Sequence, residues 1–442
     1  MLRFAVLLAC LLPSAAWADT GHWVLVLDRW GSRSYDALSL NDEAGQLTGK
    51  LGGDPLSGTR AGKHLAFKVV SGKETYLYEG MLDEDTNGGA AMQGSADFPD
   101  TNNPQARARH GFTARKVASR QPGPARVHDF APIDYANEFS PHRLPVLTVW
   151  PGDTVRTKTL DSGGVDEHGV TRALYGNPQT GPFYIDGAEP GDTLVVHLGK
   201  VRLNRDYADS LDALVGRAMS NALAAKASQL GQAVRWKLDR ARGLASPLNP
   251  GKAMAKVVLP VRPMLGGLAV APGNGSPPIS TGDTGRFGGN MDFNEVVEGN
   301  TVYLPVQQPG ALLYLGDAHA LQGDGETSQY ALETSMDVEF TVDVIKGASI
   351  AAPRVESPTQ IMTLGQAGSL DEALRLGASA MVDWLVRDYG LTVSESAQVL
   401  GSAVKINVAN LAGRSVGVAV RIDKAWLGPR QAPAPMSAAA VK

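Results

Sequence analysis

Residues 316–326 read GDAHALQGDGE and combine four acidic or histidine side chains with three glycines. Asp317 and His319 are two positions apart, so in an extended segment their side chains point to the same side. Histidine, aspartate and glutamate on one turn can converge on a divalent metal, and glycines permit the positive φ angles that such a turn needs. A polar surface turn has a similar composition. This stretch alone therefore leaves a metal site and a surface turn equally open.

Two other glycine-rich loops carry acids. Residues 283–295 read DTGRFGGNMDFNE and contain Asp292, and residues 159–169 read TLDSGGVDEHG and contain Asp161. Loops at the ends of one sheet system are a common way to assemble a site. The sequence has no P-loop, dinucleotide fingerprint, HExxH motif or nucleophile elbow, and Cys10 is its one cysteine. Metal-assisted hydrolysis is the reaction class for which the chain has residues.

The elements that must position these loops are strands. Residues 22–116 alternate short apolar runs with Gly, Asp and Asn turns about every ten residues, which predicts a small antiparallel sheet or barrel. Farther on, VWPGDTV at 149–155 and AEPGDTL at 188–194 repeat one strand–turn–strand device. We therefore expect a mainly β protein with appended helices (α+β), in which a small antiparallel β domain precedes a larger domain resembling a β-sandwich or barrel.

Three segments carry helix signals. Residues 206–242 lack proline and are rich in Ala and Leu, which predicts one or two helices. Residues 369–390 begin with Ser369, followed by Glu372 three positions later, the pattern of a capping box, and end at Gly390. Residues 392–404 begin in the same way. A last strand is expected after them, at 416–427.

The N-terminus has the pattern of a secretory signal. Arg3 precedes an apolar run at 4–12, and Ala16-Trp17-Ala18 forms a small-x-small cleavage site. We therefore expect an exported protein, periplasmic or secreted, whose signal peptide is residues 1–18. No later apolar run is long enough to span a membrane. The net charge of −4 has no basic patch behind it, which argues against nucleic acid as a partner.

Composition then divides the rest of the chain. Residues 19–116 form the predicted accessory β domain, and residues 117–127, rich in Pro, Gly and Arg, form a linker. The larger domain covers 128–428. The last residues, 429–442, have the composition of a disordered tail.

Seven stretches between about 125 and 428, in order, resemble the acetamidase/formamidase family of amide hydrolases. They are PVLTVWPGDTV, NPQTGPFYIDGAEPGDTL, RLNRDYA, GGNMDFNE, TVYLPV, GALLYLGDAHALQGDGE and ALETSMDVEFTVDVI. The resemblance implies hydrolysis of short primary amides, such as formamide or acetamide, to carboxylate and ammonia. It also implies a mainly β catalytic domain, an association with metal ions and, together with the apolar helix near the C-terminus, a homo-oligomer.

Amide hydrolysis requires an activated water, a stabilised oxyanion and a protonated leaving group. A divalent metal, for which zinc is our expectation, lowers the pKa of bound water to about 7 and polarises the carbonyl. The expected metal ligands are His319, Asp317 and Asp161, with Asp292 in reserve. Glu326 or Glu333 is the expected proton shuttle. Because Glu333 lies in an alternating strand, it could instead only orient a neighbour.

The remaining expected roles belong to backbone and amide groups. The side chain of Asn290 and the backbone amides of Gly288 and Gly289 are candidates to stabilise the oxyanion. Asn177 is a candidate to hold the substrate amide, although a residue before Pro178 is more often a simple turn residue.

Two other functions stay open at this point. An exported binding or scaffold protein could keep the fold without catalysis. A hydrolase of a larger or cyclic amide would share the same residues and differ in the shape of its pocket.

Overall fold

The computed structural model describes residues 19–84, 90–100, 102–103, 105–117, 123–227, 229–273 and 275–430. The chain divides into two compact units, residues 1–120 and 121–442. The predicted signal peptide, residues 118–122 of the predicted linker and residues 431–442 of the predicted tail lie outside the described residues.

The first unit is a closed antiparallel barrel in which each strand pairs with the next and the last pairs with the first. Its strands are β1 (Asp19–Arg29), β2 (Ser32–Glu43), β3 (Gln46–Leu51), β4 (Asp54–Ala61), β5 (His64–Ser71), β6 (Glu74–Glu84), β7 (Ala90–Pro99) and β8 (Arg107–Lys116). Alternation fills the interior: Leu25 and Leu27 are buried, whereas Val24 and Val26, which precede them, are half-buried. The predicted small antiparallel β domain is confirmed.

The described residues of the second unit form strands β9–β30 and three α-helices. Its strands are β9 (Val127–Asp129), β10 (Glu138–Phe139), β11 (Leu147–Val149), β12 (Thr154–Lys158), β13 (Gln179–Ile185), β14 (Thr193–Leu203), β15 (Tyr207–Leu211), β16 (Ala233–Asp239), β17 (Leu244–Pro247), β18 (Leu259–Pro260), β19 (Met264–Ala269), β20 (Ile279–Ser280), β21 (Thr284–Gly285), β22 (Gly288–Asn290), β23 (Thr301–Pro305), β24 (Leu313–His319), β25 (Glu333–Thr334), β26 (Met336–Ile345), β27 (Arg354–Glu356), β28 (Gln360–Ala367), β29 (Lys405–Asn410) and β30 (Val416–Asp423). Its helices are α1 (Asn221–Ala224), α2 (Leu370–Tyr389) and α3 (Val393–Ala403), with 3₁₀ turns at Gly216–Ala218 and Lys424–Trp426.

Two large sheets organise this unit. An eleven-stranded sheet has the order β18-β17-β16-β15-β25-β24-β19-β22-β21, with β13 joining β24 and β11 joining β13. A nine-stranded sheet has the order β29-β30-β28-β27-β23-β14-β26-β12-β9, and β10 and β20 form a separate pair. The expected class, mainly β with appended helices, is confirmed.

Helix α2 packs on the nine-stranded sheet. Its Met381 and Trp384 are buried in one apolar cluster with Ile361 and Val420 from β28 and β30. The predicted ends of α2 are confirmed: the side chain of Ser369 accepts a hydrogen bond from the backbone of Glu372, and Gly390 is left-handed. Helix α3 begins with a complete capping box at Thr392. Among the described residues, we find no helix with both the length and the apolar character required to span a bilayer.

The prediction of helix for residues 206–242 is wrong for most of that segment. Strands β15 and β16 occupy its two ends and pair antiparallel, and the single turn of α1 lies between them. In β16, Trp236 and Leu238 are buried whereas Arg235 and Lys237 are exposed, which is the period of two that a strand requires. Arg235 also bonds Asp209 across the strand pair, at 2.8 Å from Nε to Oδ1. The high Ala and Leu content masked this short alternation.

Candidate active site

Four neighbouring strands of the eleven-stranded sheet carry a cluster of acids around one histidine. In β24, Asp317 and His319 lie near the end of the strand, and His319 lies directly opposite Glu333 of β25. On the other side of β24, strand β19 separates it from β22, which ends at Asn290, two residues before Asp292. The pairing of β25, β24, β19 and β22 therefore brings together acids that are distant in the sequence.

The acids form two groups that share His319. Ligand atoms of Asp292, Asp317 and His319 lie within 4.8 Å of one another, as do those of His319, Glu326 and Glu333. Nε2 of His319 lies 3.2 Å from Oε1 of Glu333 and 3.5 Å from Oδ1 of Asp317. The expected convergence of Asp317, His319 and Glu326 is present. The stretch 316–326 is not the surface turn considered above, because these three side chains are at most 6% exposed.

Several polar atoms of the cluster are buried without a hydrogen-bond partner. They are Oδ1 of Asp292, Oδ1 of Asp317, Nε2 of His319 and Oε2 of Glu333. The short contacts of His319 Nε2 with the two carboxylates do not have hydrogen-bond alignment. An unsatisfied buried polar atom costs about 1–3 kcal/mol. Four such atoms in one place therefore indicate a site built to bind something.

The charge balance supports the same conclusion. Burial, followed by the charge of Asp317, raises the pKa of Asp292 well above its usual range. Burial also raises the pKa of Glu326 and of Glu333. For His319, burial lowers the pKa, but the charges of Glu333 and Asp317 outweigh it and raise the pKa well above its usual value. Four carboxyl groups against one imidazole thus hold extra protons or a cation.

Amide side chains hold these acids in place. Nδ2 of Asn177 donates to Oδ2 of Asp317 at 2.9 Å and to Oδ1 of Asn290 at 2.8 Å. Nδ2 of Asn290 donates in turn to Oδ2 of Asp292 at 2.6 Å. Both asparagines were expected to contact substrate or oxyanion. In the structure they also fix the two carboxylates through Oδ2, and Oδ1 of each carboxylate is left without a partner.

Two residues of this network were not expected from the sequence. Oε1 of Gln322 lies 2.8 Å from Nδ1 of His319, and Nδ2 of Asn410 lies 2.5 Å from Oδ2 of Asp292. Gln322 lies within the stretch 316–326, so its position could have suggested a role. Asn410 ends β29, far along the chain, and no local pattern marks it.

The backbone at the cluster is in an unusual conformation. Among the described residues, nine that are not glycine have positive φ, and four of them belong to this site. These are Asn177 (59°), Asp292 (42°), Asp317 (54°) and Glu326 (42°). A left-handed residue other than glycine is unfavourable, and such residues concentrate at functional sites. In Asp317 the positive φ interrupts β24, so the side chain does not follow simple strand alternation.

Nearby glycines permit close strand contact. A Cβ on Gly266 would lie 2.6 Å from Oδ1 of Asp292 and 2.8 Å from Oδ2 of Asp317. Gly288 and Gly289 lie in β22 between β21 and β19, where a Cβ would lie 2.3 Å and 2.4 Å, respectively, from a neighbouring carbonyl oxygen. The structure thus gives these two glycines a packing role, and their contact with an oxyanion stays a prediction.

Asp161, one of the expected metal ligands, is in neither of the two groups that could hold a metal ion. Its Oδ2 accepts a hydrogen bond of 2.7 Å from Nη2 of Arg205, and both side chains are almost fully buried. The same Nη2 donates to the backbone oxygen of Glu333 at 3.1 Å. The pair therefore supports the strand that carries Glu333, and Asp292 occupies the place among the possible ligands that we expected Asp161 to fill.

The part of the chain that carries the site is similar to known proteins. Residues 279–398, which include Asn290, Asp292 and the stretch 316–326, match the model of the Acetamidase/Formamidase family. A formamidase from Methylophilus methylotrophus is 25% identical over 262 residues, covering 48% of this chain and 64% of that protein. The alignments to curated relatives span between 15% and 64% of the relatives' own lengths.

Two solved structures match this chain over nearly their full length and have a similar architecture. An acetamidase from Yersinia enterocolitica matches with a TM-score of 0.60 and 28% identity, covering 70% of this chain and 95% of that one. A protein described as a predicted acetamidase/formamidase from Thermoanaerobacter tengcongensis matches with a TM-score of 0.57 and 26% identity, over 68% and 97% of the two chains. The proteins that this chain is similar to are thus described as formamidases and acetamidases. The chain is therefore similar to the acetamidase/formamidase family.

Proposed function

We propose that this protein hydrolyses short primary amides, such as formamide or acetamide, to carboxylate and ammonia at the cluster around His319. The observation that supports this most is the convergence of unpartnered buried atoms of Asp292, Asp317, His319 and Glu333. Proton transfer in amide hydrolysis requires carboxyl groups whose pKa is raised, and several such groups lie together here. A protein that only binds its ligand does not require them.

The donor set fits a divalent metal. Carboxylate oxygens and an imidazole nitrogen are ordinary ligands of zinc and similar ions. The residues that would hold the ion are Asp292, Asp317 and His319, with Glu333 or Glu326 adjacent. When bound, such an ion lowers the pKa of a water and polarises the amide carbonyl. Gln322 contacts Nδ1 of His319, which leaves Nε2 of the ring to face the carboxylates.

The other residues supply positioning and proton transfer. Burial raises the pKa of Glu326 and of Glu333, which favours their protonated forms, so either is placed to deliver a proton to the leaving nitrogen. Nδ2 of Asn177 reaches Asp317 from the half-buried edge of the site, and both of its hydrogens are donated there, to Asp317 and Asn290. Asn177 thus positions Asp317 and stays our candidate residue beside the incoming amide. The burial of the cluster excludes bulk water and strengthens each of these interactions.

The test is ammonia release from a panel of primary amides by the purified protein, before and after treatment with a chelator. We expect turnover of formamide or acetamide that falls after chelation and returns when a divalent metal is added. Binding of amides with no ammonia release would favour a binding protein that has kept the fold. Release that chelation leaves unchanged would refute the metal and leave the amidase proposal standing.

A further inference from the structure

The site has one less buried side. Asp292, Asp317, His319 and Glu333 are all at most 4% exposed. Asn177, which bonds Asp317, is only half-buried. Among the side chains that hydrogen-bond these acids, Asn177 is therefore the least buried, which makes its side of the site the candidate approach for a substrate.

Two tyrosines stand beside that approach. Tyr175 is two residues before Asn177, and Tyr330 is three residues before Glu333. Their hydroxyl groups hydrogen-bond to each other, and their ring centroids are 6.3 Å apart. Burial and the bond to Tyr175 raise the pKa of Tyr330, and the charges of Glu333 and Asp317 add to the shift. Tyr330 is thus close enough to the buried acids to sense their charge.

The backbone on the Tyr175 side is fixed. Nδ2 of Asn137 donates to the backbone oxygens of Leu174 at 3.1 Å and of Gly176 at 3.4 Å. The hydroxyl of Thr281 donates to the Gly176 oxygen at 2.7 Å. The backbone is thus bonded on both sides of Tyr175, so rotation of the side chain moves the ring without breaking these bonds.

The Tyr330 side is held in a similar way. The backbone N–H of Ala331 donates to Oε1 of Glu326 at 3.1 Å, and the hydroxyl of Ser328 donates to the backbone oxygen of Tyr330 at 2.6 Å. Any displacement of this backbone would therefore disturb a site carboxylate. The ring of Tyr175 is on a residue that is 65% exposed, so its rotation outward meets little resistance.

We propose that Tyr175 and Tyr330 form a gate across the approach to the acids, which opens by side-chain rotation and limits the acyl group of the substrate to a few carbon atoms. This proposal rests on the amidase function proposed above and names the substrate class more closely. In this gate, formamide and acetamide require only small rotations of the rings, whereas an aromatic amide requires the two rings, joined through their hydroxyls, to separate.

The experiment compares kcat/KM for acetamide and benzamide in wild type, Tyr175→Ala, Tyr330→Ala and the double variant Tyr175→Phe/Tyr330→Phe. The matched control is Leu174→Ala, because Leu174 is 79% exposed and lies next to Tyr175. We expect each alanine variant to raise the benzamide-to-acetamide ratio about tenfold or more, since one methylene in a pocket already changes discrimination about tenfold or more. The phenylalanine pair should raise the ratio less, because it removes the hydroxyl bridge and keeps the rings.

The outcomes separate the two proposals. An unchanged ratio in both alanine variants, with an active wild type, overturns the gate and leaves the amidase function intact. A raised ratio in Leu174→Ala equal to that in Tyr175→Ala also overturns the gate, because loss of any exposed bulk would then explain the effect. Absence of ammonia release from every amide and every variant overturns both proposals.

Discussion

Replacement of Gly266 by alanine tests whether the positions of the two aspartates set the rate. Gly266 lies in β19 between the two carboxylates, and its new Cβ would lie 2.6 Å from Oδ1 of Asp292 and 2.8 Å from Oδ2 of Asp317. Ordinary contacts begin at 3.4 Å, so the oxygens must move by more than half an ångström. Both atoms are buried, which leaves them no open space to move into.

The size of the effect follows from that displacement. A misplacement of about 1 Å at a reacting group costs on the order of 100-fold in rate. Overpacking a buried site lowers the free energy of unfolding by about 1–3 kcal/mol, which a protein of this size tolerates. We therefore expect Gly266→Ala to be folded and to lose about two orders of magnitude in kcat/KM for acetamide.

The assay is ammonia release combined with urea unfolding of the same preparations. Gly251→Ala is the matched control, because a Cβ at Gly251 meets nothing within 4 Å. It should change neither quantity measurably. Full activity in a folded Gly266→Ala protein would refute the idea that the spacing of Asp292 and Asp317 matters for turnover.

Two further predictions concern buried charges. Arg205→Leu leaves Asp161 buried without its partner and should lower the free energy of unfolding by about 3–5 kcal/mol. The double variant Arg205→Leu/Asp161→Asn should recover part of that loss, because the unpaired buried charge is gone. An equal loss in the single and the double variant would contradict this. For Asp388, burial raises the pKa, but hydrogen bonds and charge from Arg387 and Arg430 outweigh it and lower the pKa. The unfolded chain then binds this proton at a higher pH than the folded chain, so stability is lost as the pH falls below about 4. The difference in free energy of unfolding between wild type and Asp388→Asn, measured between about pH 3 and 6, should therefore shrink as the pH falls. A difference that does not change with pH would argue against this.

Local signals in the sequence were enough for some elements. Ser369 and Gly390 mark the ends of α2, and both ends are where the sequence predicts them. The alternating runs of residues 22–116 predict strands, and the barrel contains them. For 206–242, composition outweighed a short alternation, because Trp236 and Leu238 become informative only when β15 is seen to pair with β16.

The sequence predicts less of the site than of the fold. The stretch 316–326 supplied Asp317, His319 and Glu326, because their types and spacing are visible in the sequence. Asp292, and not Asp161, lies beside Asp317 because of the order of β22, β19 and β24 in the sheet. No local sequence pattern records that order. The left-handed backbone of Asp317 lies inside a strand, and no local sequence pattern marks it. The expected homo-oligomer and the identity of the metal stay predictions.

The most direct measurement is the metal content and acetamide turnover of His319→Ala beside wild type. His319 belongs to both possible ligand groups and is 1% exposed. His168→Ala is the matched control, since the His168 side chain is 72% exposed. We predict that His319→Ala retains its circular dichroism spectrum, loses the metal and loses turnover by orders of magnitude, whereas His168→Ala matches wild type. Stoichiometric metal and normal turnover in His319→Ala would contradict the account.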